Sequence, residues 1–226
     1  MTVRICASVL ASNMRDITRM TKKAISDGAD FLEFRLDSIQ GKYNPKDIRK
    51  LSTLPLIATN RPKREGGLFE GSEEERTRQL FSAAESGFEF IDIELSTESS
   101  KEIVKKMTKK GVKTIISSHI FDLTPNLTTL NSLLTREIST DASICKIVTS
   151  ANLFEDNLRC LKLVESVSKK VNIVCFCMRE LGITSRLLSP ILGGYFTYAA
   201  VEKGKESASG QLTISEMRTF YEFLGA

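Results

Sequence analysis

Eight short runs rich in β-branched residues, separated by helical patterns, predict an α/β fold: a (β/α)8 TIM barrel formed by residues 1–226 as a single domain. Three observations carry that prediction. Strand and helix patterns alternate along the chain, which implies a parallel sheet. The repeats reach eight within 226 residues, the length of a compact barrel. No G-x-G-x-x-G follows the first run, where a doubly wound dinucleotide fold would place it. No linker or low-complexity segment divides the chain.

The elements follow in order. Val3–Val9 reads as strand 1, and Met14, Ile17, Thr21, Ala24 and Ile25 fall on one face of the next helix. Gly28 stands where that helix needs a C-cap, ahead of strand 2 at Phe31–Asp37. The segment around Tyr43–Ser52 leaves room for a short second helix before strand 3, Pro55–Asn60. Ser72-x-x-Glu75 has the form of a capping box, and Gly87 precedes strand 4 at Phe88–Leu95. Lys105-Lys106 and Lys109-Lys110 mark the solvated face of another helix, closed by Gly111 before strand 5 at Lys113–His119. Strands 6, 7 and 8 are Ser143–Thr149, Val171–Met178 and Tyr195–Val201. Thr213-x-x-Glu216 caps a last helix whose apolar face is Met217, Phe220, Tyr221 and Leu224.

Composition narrows the function classes. A net charge of +4 suits a small anionic substrate and is too weak and dispersed for nucleic acid. No apolar run approaches 18 residues, so no transmembrane helix is expected. The start, MTVRICASVL, reads as a strand and lacks the features of a signal peptide, which makes the cytoplasm the expected compartment. Cys6, Cys145, Cys160, Cys175 and Cys177 are odd in number and sit mostly in apolar runs, the habit of buried free thiols. Gly41-Lys42 and Gly204-Lys205 lack the rest of a P-loop, and Asn126-Leu127-Thr128 is discounted as a glycosylation site without a secretory signal.

Charges on strands that should be apolar point to chemistry. In a barrel, alternate strand residues face the axis, so Glu33, Arg35 and Asp37 point inward while Leu32, Phe34 and Leu36 meet the helices. Such a row is either a mutually paired structural network or a substrate site with internal ion pairs. Arg61, before Glu65-Gly66-Gly67, is either a loop ligand or an isolated surface arginine. His119, the only histidine, ends strand 5; it is either a structural histidine or a general acid–base, and its place at a C-terminal strand end favours the second. One histidine argues against a His-rich metal site. Lys146 lies within apolar strand 6, where snorkelling to solvent is hard; burial and neighbouring cations would favour the neutral amine that forms an imine with a ketone. Arg186 follows strand 7 and offers a fork for a carboxylate. Glu202–Gln211 reads either as a lid, with Ser207 and Gln211 touching ligand, or as a plain loop.

Taken together these residues resemble the type I 3-dehydroquinate dehydratases. The marks are Glu33-x-Arg35-x-Asp37, Arg61 with Glu65-Gly66-Gly67, Ser117-Ser118-His119 with Thr124-Pro125, Lys146, Gly182-Ile183-Thr184-Ser185-Arg186 and Ser207-Ala208-Ser209-Gly210-Gln211. Each is weak alone; their order and spacing are specific, and they span nearly the whole chain. The resemblance implies dehydration of 3-dehydroquinate in chorismate and aromatic amino acid synthesis, without metal or organic cofactor, by a homodimer. It implies an imine on Lys146, proton transfers by His119 and tuning of His119 by Glu65. It further implies that Arg186 grips the substrate carboxylate with Gln211 and Ser207 assisting, and that Glu33, Arg35 and Arg61 hold ring hydroxyls. Met178 and Tyr198 would line the ring pocket, and Ser8 would touch substrate from strand 1. The chain departs from the family pattern in three places. It begins directly at strand 1, where many members carry an earlier hairpin across the barrel bottom; its second helix is short; and Phe176 and Tyr198 stand where methionine and phenylalanine are expected.

Two rivals share parts of this pattern. A class I aldolase would also use a strand-6 lysine, but commonly carries a phosphate loop after strands 7 and 8, where this chain offers Arg186 and a Ser/Gln segment. A binding barrel without activity would be expected to lack at least one of Lys146, His119 and Glu65.

Overall fold

The computed structural model describes residues 3–226. Its eight strands are β1 (Ile5–Val9), β2 (Phe31–Arg35), β3 (Leu56–Thr59), β4 (Phe90–Glu94), β5 (Lys113–His119), β6 (Ile144–Ser150), β7 (Ile173–Met178) and β8 (Thr197–Ala200). All neighbours pair in parallel, in the order β7-β6-β5-β4-β3-β2-β1-β8. The helices are α1 (Met14–Ser26), α2 (Pro45–Arg49), α3 (Glu73–Glu85), α4 (Ser100–Lys109), α5 (Leu127–Ile138), α6 (Glu155–Val167), α7 (Ile183–Leu188) and α8 (Ile214–Leu224). The result is a nearly closed (β/α)8 barrel. Between β7 and β8 there is a seam, bridged at its start by Tyr195 N–H donating to Ile173 O at 2.7 Å.

Side chains sort by the strand period. Leu32, Phe34, Ala58, Ile91, Ile93, Ile116 and Ile147 face the helices and form the outer core. Cys6, Phe31, Ile57, Phe90, Ile115 and Phe196 fill the axis. The bottom of the barrel is packed with aromatics. Phe31 meets Phe90 at 5.9 Å and Phe196 at 5.2 Å, with Arg4 stacked on Tyr195 and Lys113 over Phe90.

Several local expectations are revised. In α1 it is Met20 that is buried with Ile17, Thr21 and Ala24, while Ile25 lies toward solvent. Leu224 is likewise exposed at the end of α8. Thr213 and Glu216 make a full capping box, whereas Ser72 caps Glu75 N–H without the reciprocal bond. Strand 2 ends at Arg35, and Asp37 sits in a 3-10 turn (Leu36–Ser38) outside the row expected along the axis. From there it clamps Arg35 through two bonds of 2.9 and 2.7 Å and accepts the backbone amides of Arg61 and Leu68.

One buried acid lies outside the barrel axis. Glu137 of α5 is fully buried behind β5 and β6, beside the Ser118 hydroxyl and the Lys146 peptide, and neither of its carboxyl oxygens has a partner in good geometry. Burial pushes its pKa well above 4.5. The folded chain therefore keeps a proton that the unfolded chain releases, and stability falls as pH rises above about 4.5. Glu137→Leu should remove an unsatisfied polar group and raise Tm by roughly 2–8 °C, more at pH 8 than at pH 5. Thermal melts at the two pH values check both size and sign; a lowered Tm would mean that the acid has a partner.

Candidate active site

The C-terminal ends of the strands surround a cavity of about 400 Å³. Lys146 lies on its floor with 5% of its surface exposed. Its Nζ donates to Asp92 Oδ2 at 2.9 Å and to Tyr198 OH at 3.1 Å, stands 3.7 Å from Glu33 Oε1, and lies over the Tyr198 ring. Its nearest charged neighbours are thus carboxylates, where the sequence reading had placed cations. Both carboxylates are anchored elsewhere. Asp92 accepts from Arg61 and Ser117, and Glu33 accepts from Ser8, Thr59 and Tyr198. Burial alone would push either acid up, but the neighbouring cations and donors prevail and both lie below the usual carboxylate range.

His119 ends β5 at the rim of the same cavity. Its Nδ1 stands 3.6 Å from Glu65 Oε2, a contact longer than a hydrogen bond that would tighten with a small movement. The other Glu65 oxygen accepts from Ser96 at 2.6 Å. Glu65 is delivered by a 3-10 turn (Lys63–Glu65) and the glycines after it; a Cβ on Gly67 would sit 2.0 Å from the Arg61 carbonyl, so the turn closes only with glycine there. Burial, then the charge of Arg61, pushes His119 down to about 4 against the pull of Glu65. The imidazole is neutral at pH 7 and able to accept a proton. Two results follow. The acid limb of kcat/KM should fall near pH 4, not 6.5, in steady-state profiles. A histidine held neutral also withdraws stability as pH drops from about 6.5 toward 4, because the unfolded chain takes up the proton first.

Arg186 projects from α7 and is 1% exposed. Its Nε and one terminal nitrogen have no hydrogen-bond partner, and its group lies 4.3 Å over the Phe176 ring. No carboxylate pairs with it among the described residues, and burial pushes its pKa down to about 10. A buried guanidinium with free donors beside a cavity has the chemistry to hold an anion in two parallel hydrogen bonds. Ser207 and Gln211 line the same cavity; Gln211 Oε1 accepts the Ser207 N–H at 2.8 Å and its hydroxyl at 3.2 Å, which fixes the turn of that segment.

The remaining expected residues divide. Glu33, Arg35, Met178 and Tyr198 line the cavity. Arg61 also lines it, but its guanidinium is engaged with Asp92, Glu94 and Ser117. Ser8 does not: it is fully buried beneath Glu33 and donates to Glu33 Oε2 at 2.7 Å, so the direct contact expected of it is corrected to support of that carboxylate. Asp92 and Glu94 escaped the sequence reading. The signal was present in β4, where Phe90-Ile91-Asp92-Ile93-Glu94 repeats the alternation that exposed Glu33 and Arg35. Phe121, stacked on His119 at 6.1 Å, and Arg179 at the rim carried no such periodic signal. No cluster of three His, Cys, Asp or Glu side chains able to hold a metal forms among the described residues, and none of their helices is long and apolar enough to cross a membrane.

Comparison with known proteins identifies the family. A family model described as Type I 3-dehydroquinase matches residues 5–226. The 3-dehydroquinate dehydratase of Dehalococcoides mccartyi strain BAV1 is 38% identical over 196 residues, 87% of this chain and 86% of that protein. The crystal structure of 3-dehydroquinate dehydratase from Geobacillus kaustophilus HTA426 aligns with a TM-score of 0.89 at 26% identity, covering 100% of this chain and 92% of that one. The type I enzyme from Clostridium difficile, solved with covalently modified comenic acid, aligns with a TM-score of 0.87 at 28% identity, covering 98% and 92%. The chain therefore belongs to the type I 3-dehydroquinase family.

Proposed function

We propose that this barrel dehydrates 3-dehydroquinate to 3-dehydroshikimate, a step of chorismate and aromatic amino acid synthesis, through an imine on Lys146. The observation that carries the reading is one cavity holding a buried amine at its floor, a neutral histidine at its rim and an unpaired guanidinium in its wall. Lys146 Nζ attacks the C3 ketone and water leaves, giving the imine. His119 takes the C2 proton, and the electron pair flows into the imine nitrogen. The C1 hydroxyl then departs with a proton from His119, and water hydrolyses the conjugated imine to free the product and the lysine. Glu65 orients the imidazole and steadies its positive form.

Arg186 takes the carboxylate, with Ser207 and the amide of Gln211 closing over it. Glu33, Arg35 and Arg61 face the ring hydroxyls, and Met178 and Tyr198 bound the ring. Asp92 and Tyr198 hold Nζ in place before it reacts. Family membership further supports a cytoplasmic homodimer, which sedimentation at working concentration would check.

The test is to incubate the protein with 3-dehydroquinate, add borohydride and measure intact and peptide masses. A ligand-sized gain on the peptide bearing Lys146 is expected. A folded protein that neither forms the adduct nor converts the substrate would sink the reading.

A further inference from the structure

Arg179 follows β7 directly, lines the cavity, and adopts φ 70°, ψ 171°, a backbone region that suits glycine and strains any other residue. Its backbone is locked to the segment over the mouth. Arg179 N–H donates to Ser209 O at 3.0 Å, and Gly210 packs so closely that a Cβ there would sit 2.1 Å from Arg179 O. Its guanidinium reaches the other way, donating to Phe121 O at 2.8 Å and to Asn152 Oδ1. Asn152 in turn donates to Asp122 O at 2.8 Å. Phe121 stacks on His119 and also abuts Gly66, beside Glu65. Among the described residues no carboxylate pairs with Arg179.

A glycine would satisfy this backbone without strain, so what the arginine adds lies in the groups its side chain holds. We propose that Arg179 is a positioning residue that latches the Ser207–Gln211 segment to the loops after β5 and β6, so that the mouth and the His119–Phe121 stack are set as one unit. No other single residue described above touches all three loops. The inference rests on the dehydratase reading for its kinetic consequence but not for its structural one.

Arg179→Gly separates latch from strain, because glycine relaxes the backbone while deleting the guanidinium. Hydrogen exchange on the free protein is the first readout and needs no substrate. The amides of residues 120–123 and 151–153 should exchange at least about tenfold faster in the variant, as one hydrogen bond from the charged guanidinium is lost at each loop while the Arg179 N–H bond to Ser209 O is kept. Steady-state kinetics is the second. KM for 3-dehydroquinate should rise about tenfold with kcat within about twofold, and Arg179→Lys should recover part of that rise. Tm of Arg179→Gly should stay within a few degrees of that of the parent, because relief of the backbone strain offsets the lost hydrogen bonds. Unchanged exchange in both segments overturns the latch whatever the enzyme does. Faster exchange with unchanged KM overturns its role in substrate binding. A lowered Tm with kcat and KM both damaged would make Arg179 a structural strut. A parent protein inactive on 3-dehydroquinate, with the exchange result intact, would count against the dehydratase reading and leave the latch standing.

Discussion

Lys146→Ala should lower kcat for 3-dehydroquinate by at least about 10⁴-fold while leaving the barrel folded, the scale on which deleting a covalent nucleophile acts. The loss is large because nothing substitutes. Among the described residues Lys146 is the only lysine lining the cavity, and without it the C3 carbon remains a ketone, a poorer sink for the electrons released at C2. The fold survives because the carboxylates around Nζ do not depend on it alone. Asp92 keeps Arg61 and Ser117, and Glu33 keeps Ser8, Thr59 and Tyr198. Steady-state kinetics with melting curves measures both halves. A folded variant that retains more than about 1% of the parent turnover would exclude an obligatory imine at this lysine.

Arg186→Met carries opposite signs for activity and stability. Two charge-assisted bonds to a carboxylate are worth about 1.5–3 kcal/mol each, so kcat/KM should fall by about 10²–10³-fold once shared losses are allowed for. Most of that should appear in KM, because the carboxylate is bound in ground and transition states alike. Stability should move the other way. At pH 7 the guanidinium is charged in both folded and unfolded chains, and its burial without a counterion costs the fold in full. Since the folded pKa of about 10 lies below the ordinary 12.5, that cost eases only as pH rises past 10. A methionine of similar reach should therefore raise Tm by a few degrees at pH 7. Arg186→Lys, which keeps the charge and loses the fork, should fall between the two in KM. An unchanged KM in Arg186→Met would move the carboxylate elsewhere.

The barrel was legible because two periods do not mix: the alternation along Phe31–Asp37 cannot form one stripe of a helix, and Met217, Phe220 and Tyr221 cannot share one face of a strand. Strand ends were less legible. Asp37 continues the alternation in sequence, yet the chain turns at Leu36 and carries its carboxylate back onto Arg35. Lys146, His119 and Arg186 could be singled out because a charge or a lone imidazole on an apolar element is conspicuous. Asp92 and Glu94 obey the same rule, but on a strand whose other residues carry no mark of a site. Ser8 and Phe121 could not have been placed by pattern. Whether a serine reaches a cavity or stops one layer below depends on the neighbouring glutamate's rotamer, and a loop aromatic has no period at all.

The seam between β7 and β8 has a consequence for the whole cylinder. Seven of its eight joints are laced by backbone pairing; at the eighth the two walls are bridged early, by Tyr195 and Ile173, and then run on unpaired. Met178 and Arg186 stand on one lip of that gap, Tyr198 and Gln211 on the other, and all four face the cavity. A molecule held by both lips would act as the missing stave of a cask and complete the hoop. Binding would then draw β7 toward β8, and release of product would slacken the same joint.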